Sequence, residues 1–181
     1  PCRVKKFNEE ANKTSYLTKE QIERLLDLAR RDPDPNIYLL LSLAIKTGMR
    51  KMELFRIKLE DVDLNRNIIY IPKAKAGARE QPIPRDMKEL IEQHIRGLVD
   101  TDWLFPSVQK RKDHVRDIRG LFARLLQEAG LDSKEITLHT LRHTAITHLV
   151  QAGVDLPTVQ SISGHKTLAM VARYAHRNNS H

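Results

Sequence analysis

The chain has 181 residues, 40% hydrophobic and 30% charged, with 31 Lys and Arg against 23 Asp and Glu for a formal net charge of +8. That size favours one domain, and no run approaches the ~18 uncharged apolar residues of a membrane-spanning helix. A single cysteine, Cys2, excludes a disulfide framework and a cysteine-based zinc site, and the polar start Pro-Cys-Arg-Val-Lys-Lys lacks the apolar stretch of a secretory signal, so a cytoplasmic protein is expected.

Residues 1–16 are polar, show no helical stripe and read as a linker or tail. Thr18 and Gln21 then form a capping box ahead of an amphipathic helix carrying Ile22, Leu25, Leu26 and Ala29. After the turn Asp32-Pro33-Asp34-Pro35, a second helix is predicted over 36–47, with Pro35 at its first position and Gly48 ending it. It is too apolar for a surface element and should be central. A short helix through Met52, Leu54 and Phe55 follows.

Periodicity then changes to two: 68–71 and 81–83 read as strands around a polar loop, with Val62 on a preceding strand. Helical patterning returns over 87–98, 115–129, 139–152, 156–163 and 167–176. The expected fold class is mainly α with a small antiparallel β-sheet (α+β).

Excess positive charge favours polyanionic partners, nucleic acid first. Only four Phe, four Tyr and one Trp are present, which argues against base stacking on single strands and for backbone electrostatics on duplex DNA. The densest cluster of chemistry is His139-Thr-Leu-Arg142-His143-Thr-Ala-Ile-Thr-His148. His139 and His143 have the i, i+4 spacing of a helical zinc pair, but the zincin glutamate and a third ligand are missing, so no metal is expected. His143 and His148 read as hydrogen-bonded core or surface residues.

Taken together, Arg50, Lys75, His139, Arg142, His165 and Tyr174 suit a different chemistry. Two guanidiniums, an ammonium and two imidazoles around one point match a dianionic phosphorane, because arginine forks bind phosphate oxygens and keep their charge. A phenol beside such cations ionises more readily than a free tyrosine and becomes a nucleophile. No metal or nucleotide cofactor is required.

The ordered series Thr-Gly-Met-Arg-Lys-Met-Glu-Leu (47–54), Lys-Ala-Gly (75–77), His-Thr-Leu-Arg-His-Thr (139–144), Gly-His (164–165) and Arg-Tyr (173–174) resembles the catalytic domain of the tyrosine recombinases, the phage-integrase family. The resemblance runs over nearly the whole chain. It implies that Tyr174 attacks a DNA phosphodiester to form a 3′-phosphotyrosyl bond while Arg50 and Arg142 grip the phosphate. By the same likeness His139 assists proton transfer, Lys75 is the general acid toward the leaving 5′-oxygen, His165 donates a hydrogen bond to the phosphate and Glu53 orients its neighbours. Lys73 competes with Lys75; the following Ala-Gly favours Lys75.

Duplex DNA is the implied partner, held by a homotetramer that exchanges strands, although the isolated domain could stand as a monomer; no membrane partner is expected. Phosphate contacts are expected from Lys73, Arg79 and Arg85 near the hairpin and from Lys110, Arg111, Lys112, Arg116 and Arg119, a run read as a helix face. Residues 17–181 are expected to be the catalytic domain, without the N-terminal domain with which relatives clamp DNA. The implied activity is site-specific recombination. A type IB-like topoisomerase and a catalytically inert DNA-binding module are the alternatives.

Overall fold

The computed structural model describes residues 16–74, 77–110 and 112–176. Helices α1 (Lys19–Arg31), α2 (Ile37–Thr47) and α3 (Lys51–Phe55) lead into strands β1 (Val62–Asp63), β2 (Ile68–Ile71) and β3 (Arg79–Pro82). Helices α4 (Lys88–Arg96), α5 (Arg119–Glu128), α6 (Leu138–Gln151), α7 (Leu156–Ser163) and α8 (Leu168–His176) follow. The strands form an antiparallel meander in the order β1-β2-β3, with Ile69 opposite Gln81 and Tyr70 opposite Glu80. This is the α+β class expected, and among the described residues no helix is long and apolar enough to cross a membrane.

The core is built around α2, in which nine of eleven residues are buried. Leu40, Leu41 and Leu43 are wholly enclosed, each contributing roughly 1.5–3 kcal/mol of burial. Helices α1 and α6 both pack against this hub. Gly48 ends α2 in the left-handed region at φ 63°, and a β-carbon there would lie 3.3 Å from the Ala145 methyl. The turn after α2 therefore presses onto α6. A second apolar cluster, Ile146, Val159, Val171 and Tyr174, binds α6, α7 and α8 into one unit.

Local chemistry sets most boundaries. The Thr18 hydroxyl accepts from the Gln21 N–H while the Gln21 side chain accepts from the Thr18 N–H, the capping box expected for α1. Asp155 caps α7 through the Thr158 N–H, and Thr137 caps α6.

Four expectations need correction. Helix α2 begins at Ile37, so Asn36 is its cap residue and Pro35 lies before it. The helix expected over 87–98 is preceded by a 3-10 turn, Arg85–Met87, and runs as α4 only from Lys88 to Arg96. Strand β3 starts at Arg79, two residues early. Helix α5 starts at Arg119 rather than 115, because the preceding residues are committed elsewhere. Pro106 and His114 form an antiparallel bridge, and the Val115 N–H donates to the Phe105 carbonyl at 2.8 Å. Lys110, Lys112 and Arg116 accordingly stand on a folded loop, not on a helix face.

Candidate active site

Arg50 caps α3, and its backbone N–H donates to the Glu53 carboxylate at 3.1 Å, which closes the first turn. The same carboxylate accepts from the Arg50 guanidinium on one oxygen and from Arg79 on the other, each at 3.0 Å. The Glu53 side chain is only 6% exposed. Burial alone would push its carboxyl up, but the Arg79 charge and the hydrogen bonds from Arg50 and Arg79 overcome this and hold it below the usual range. Arg79 also donates to the Ile162 carbonyl, and Arg50 donates to the Gly164 carbonyl at 2.7 Å. Glu53 thus orients both guanidiniums, and both reach across to the turn between α7 and α8.

Arg79 is a correction to the sequence expectation. Its side chain is 12% exposed and ion-paired inside the site, not displayed as a phosphate-binding surface group. It shares a face of β3 with the wholly buried Gln81, whose side chain accepts from it at 2.6 Å.

Arg142 projects from the second turn of α6 and is 4% exposed. One arm donates to the Gly48 carbonyl at 2.5 Å and the other approaches His165 Nε2 at 3.3 Å. Burial, then repulsion from Arg50, lowers this guanidinium to about 10, so it stays protonated at neutral pH. On the far side of the His165 ring, Nδ1 lies 2.7 Å from Ser163 Oγ. The Ser163 hydroxyl donates to the Val159 carbonyl at 2.6 Å, so Nδ1 carries the proton and Nε2 accepts from Arg142. Burial, followed by the Arg142 and Arg50 charges, pushes His165 down to about 4, and the ring is neutral at pH 7.

Tyr174 is 8% exposed and its ring joins the second apolar cluster. Its centroid lies 6.2 Å from that of His165. The phenol oxygen sits 2.6 Å from His143 Nδ1. His143, expected to be a bystander, is thus part of the site, and its i, i+4 relation to His139 was the one signal available. The His139 ring meets the His143 ring edge-on at 4.4 Å. Partial burial, then Arg142 and Arg50, keeps His139 below the ordinary imidazole range.

Arg50, His139, Arg142 and His165 line one cleft of about 800 Å³, with Met49, Met52, Phe122 and Met170 on its apolar wall. Arg119 and Lys166 stand on the same lining. Of the other basic residues, Lys73, Arg85, Lys110 and Lys112 are exposed. Arg116 pairs with Asp113, and Arg119 with Asp117 at 2.7 Å. Lys75 and Arg111 lie outside the described residues. Tyr70 is 46% exposed on the open face of the sheet.

The chain matches the Phage integrase family over residues 15–181. It is 36% identical over 166 residues to the tyrosine recombinase XerA of Thermococcus kodakarensis, covering 87% of this chain and 56% of that protein. The crystal structure of a XerA recombinase superposes with a TM-score of 0.79 at 29% identity, over 92% of this chain and 61% of that one. The catalytic domain of bacteriophage HP1 integrase shares the fold, with a TM-score of 0.69 at 24% identity over 92% of this chain and 90% of that one. The chain therefore spans about half the length of the curated relatives it matches. With a match that runs from residue 15 to the last residue, the chain belongs to the phage integrase family.

Proposed function

We propose that this chain is the catalytic part of a site-specific DNA recombinase that cuts and rejoins strands through a 3′-phosphotyrosyl intermediate. The observation that carries the reading is the convergence of Arg50, His139, Arg142 and His165 on one cleft, with Tyr174 beside His165. The four come from the start of α3, from α6 and from the turn before α8. A pentacoordinate phosphorus in the cleft would receive two guanidinium forks. Preorganised donors of that kind are each worth roughly 2.7–4 kcal/mol as charge develops.

In this reading Tyr174 is the nucleophile, Arg50 and Arg142 hold the non-bridging oxygens, and His139 and His165 flank them. Lys75 is the general acid for the departing 5′-oxygen, and Glu53 positions Arg50. Residues 17–181 form the catalytic domain, and exposed Lys73, Arg85, Lys110 and Lys112, with Arg111, contact flanking phosphates. Duplex DNA is the substrate, four protomers assemble on it, and the enzyme works in the cytoplasm at the nucleoid without metal.

The test is covalent capture. The chain is incubated with a pool of nicked duplexes of randomised sequence, adducts surviving denaturant are recovered, and their DNA is sequenced. The expected result is an adduct that is insensitive to EDTA and lost in Tyr174→Phe, with non-covalent binding retained. An adduct persisting in Tyr174→Phe moves the nucleophile elsewhere. Relaxation of plasmids without any recovered site would mark a type IB-like topoisomerase, and binding without an adduct would mark an inert DNA-binding module.

A further inference from the structure

We propose that His143 is the general base that takes the phenol proton from Tyr174. The inference rests on Tyr174 being the nucleophile, and it assigns to His143 a role that the sequence resemblance gave to His139. A phenol with an ordinary pKa near 10 is protonated by a factor on the order of a thousand at pH 7, so its attack on phosphorus needs an acceptor. Tyr174 is 8% exposed, which restricts bulk water as that acceptor. His143 Nδ1 lies within hydrogen-bond reach of the phenol oxygen, at 2.6 Å.

The anchorage of both residues supports the assignment. His143 stands on α6 one position after Arg142, and Thr144, the next residue, is locked in place as its hydroxyl accepts from the Leu17 N–H at 3.0 Å. Tyr174 is held by packing against Ile146 of the same helix and against Val159 and Val171. The base and nucleophile are therefore positioned by one rigid unit of α6, α7 and α8, and the rings are tilted by only 34° at 5.5 Å between centroids.

The step balances without a further reagent. The O–H bond of Tyr174 breaks and its proton passes to Nδ1, while the freed electron pair forms the bond to phosphorus. The P–O5′ bond breaks, and the departing 5′-oxygen takes its proton from the general acid. On religation the 5′-hydroxyl returns its proton to the conjugate base of the general acid and attacks phosphorus, the P–O bond to Tyr174 breaks, and the imidazolium of His143 gives its proton to the departing phenol oxygen.

Three measurements test this. The side-chain nitrogen NMR of the DNA-free chain at pH 7, assigned by loss of the signal in His143→Gln, should show a neutral His143 with the proton on Nε2. A doubly protonated ring, or a proton on Nδ1, overturns the proposal with no need for an active variant. In single-turnover cleavage of a nicked duplex recovered by covalent capture, His143→Gln should be slower by about a hundredfold or more. Replacing Tyr174 with a fluorinated tyrosine of lower phenol pKa should recover most of that loss. Faster cleavage in His143→Gln would instead make His143 a latch on the phenol.

The third measurement separates proton transfer from scaffolding. A strand ending in a 3′-p-nitrophenyl phosphate is ligated in the Tyr174→Phe background, where the leaving group needs no proton. Adding His143→Gln should leave that ligation within about twofold. A loss as large as in cleavage shows a merely structural role and overturns the proposal. Failure of the nucleophile assignment itself is read separately, as an adduct that survives Tyr174→Phe.

Discussion

The Arg79 side chain crosses Gly164 so closely that a β-carbon there would sit 2.7 Å from Nε. Gly164 also adopts φ +64°, which L side chains rarely take, so backbone and space impose the same residue. The turn that presents His165 is thus packed directly onto the guanidinium that binds Glu53.

Gly164→Ala should therefore cost more than its backbone strain. Left-handed φ for alanine costs roughly 1–2 kcal/mol, and displacement of Arg79 adds to it. Gly153→Ala is the control: its φ is +80°, but a β-carbon there meets nothing within 4 Å. Urea denaturation should show the larger loss at Gly164, and covalent adduct formation should fall only there. Equal losses at both positions would mean that the Arg79 contact contributes nothing.

Arg79→Met should destabilise by about 2 kcal/mol, below the ~3–5 kcal/mol of a fully broken buried pair because Arg50 still binds Glu53. Its pH dependence identifies the cause. With Arg79 present, Glu53 lies below its usual range, so its contribution is present at neutral pH and lost as pH falls through the carboxylate range. Without Arg79 the burial effect dominates and the carboxyl rises. The difference between variant and parent should be largest near pH 7 and shrink toward pH 4, measured as denaturant midpoints across that interval.

Acid should weaken the fold before its carboxylates titrate. His94, His139, His148 and His165 are all depressed, His94 chiefly by burial and His165 to about 4. Below the ordinary imidazole value of about 6.5 the unfolded chain takes up protons that the folded one refuses, so stability rises with pH across this window. The His165 contribution is complete above 6.5 and gone by about 4. Melting temperature should decline across that interval, and His165→Asn should decline less steeply. An unchanged slope would remove His165 from the account.

How much of this was legible in the chain depends on whether the cause was local. Helix α7 matched its expected range because Asp155 and Gly164 sit at its two ends, and local caps decide where a helix stops. The start of α5 did not, since Val115 was drawn off by a backbone hydrogen bond to Phe105 that no periodicity records. Among site residues, Arg50, His139, Arg142, His165 and Tyr174 were visible as an ordered series. Arg79 was not, because a basic residue after a hairpin loop looks the same whether its strand face is wet or buried. His143 was hidden for a related reason: only the packing of α8 on α6 reveals that its neighbour is a phenol.

Arg142→Lys tests whether the site needs a fork or only a charge. One guanidinium arm is tied to the Gly48 carbonyl at 2.5 Å while the other faces His165, so a single group is oriented by the end of α2 and still presents N–H donors to the cleft. An ammonium is a point charge and cannot keep both directions. The substitution should lower single-turnover adduct formation by about a hundredfold or more, corresponding to the roughly 2.7–4 kcal/mol of one lost preorganised donor. Non-covalent DNA affinity, spread over many phosphates, should change by only a few fold. Parallel titration and rate measurements on the same nicked duplex distinguish the two, and a variant cleaving at the parent rate would show that charge alone suffices at this position.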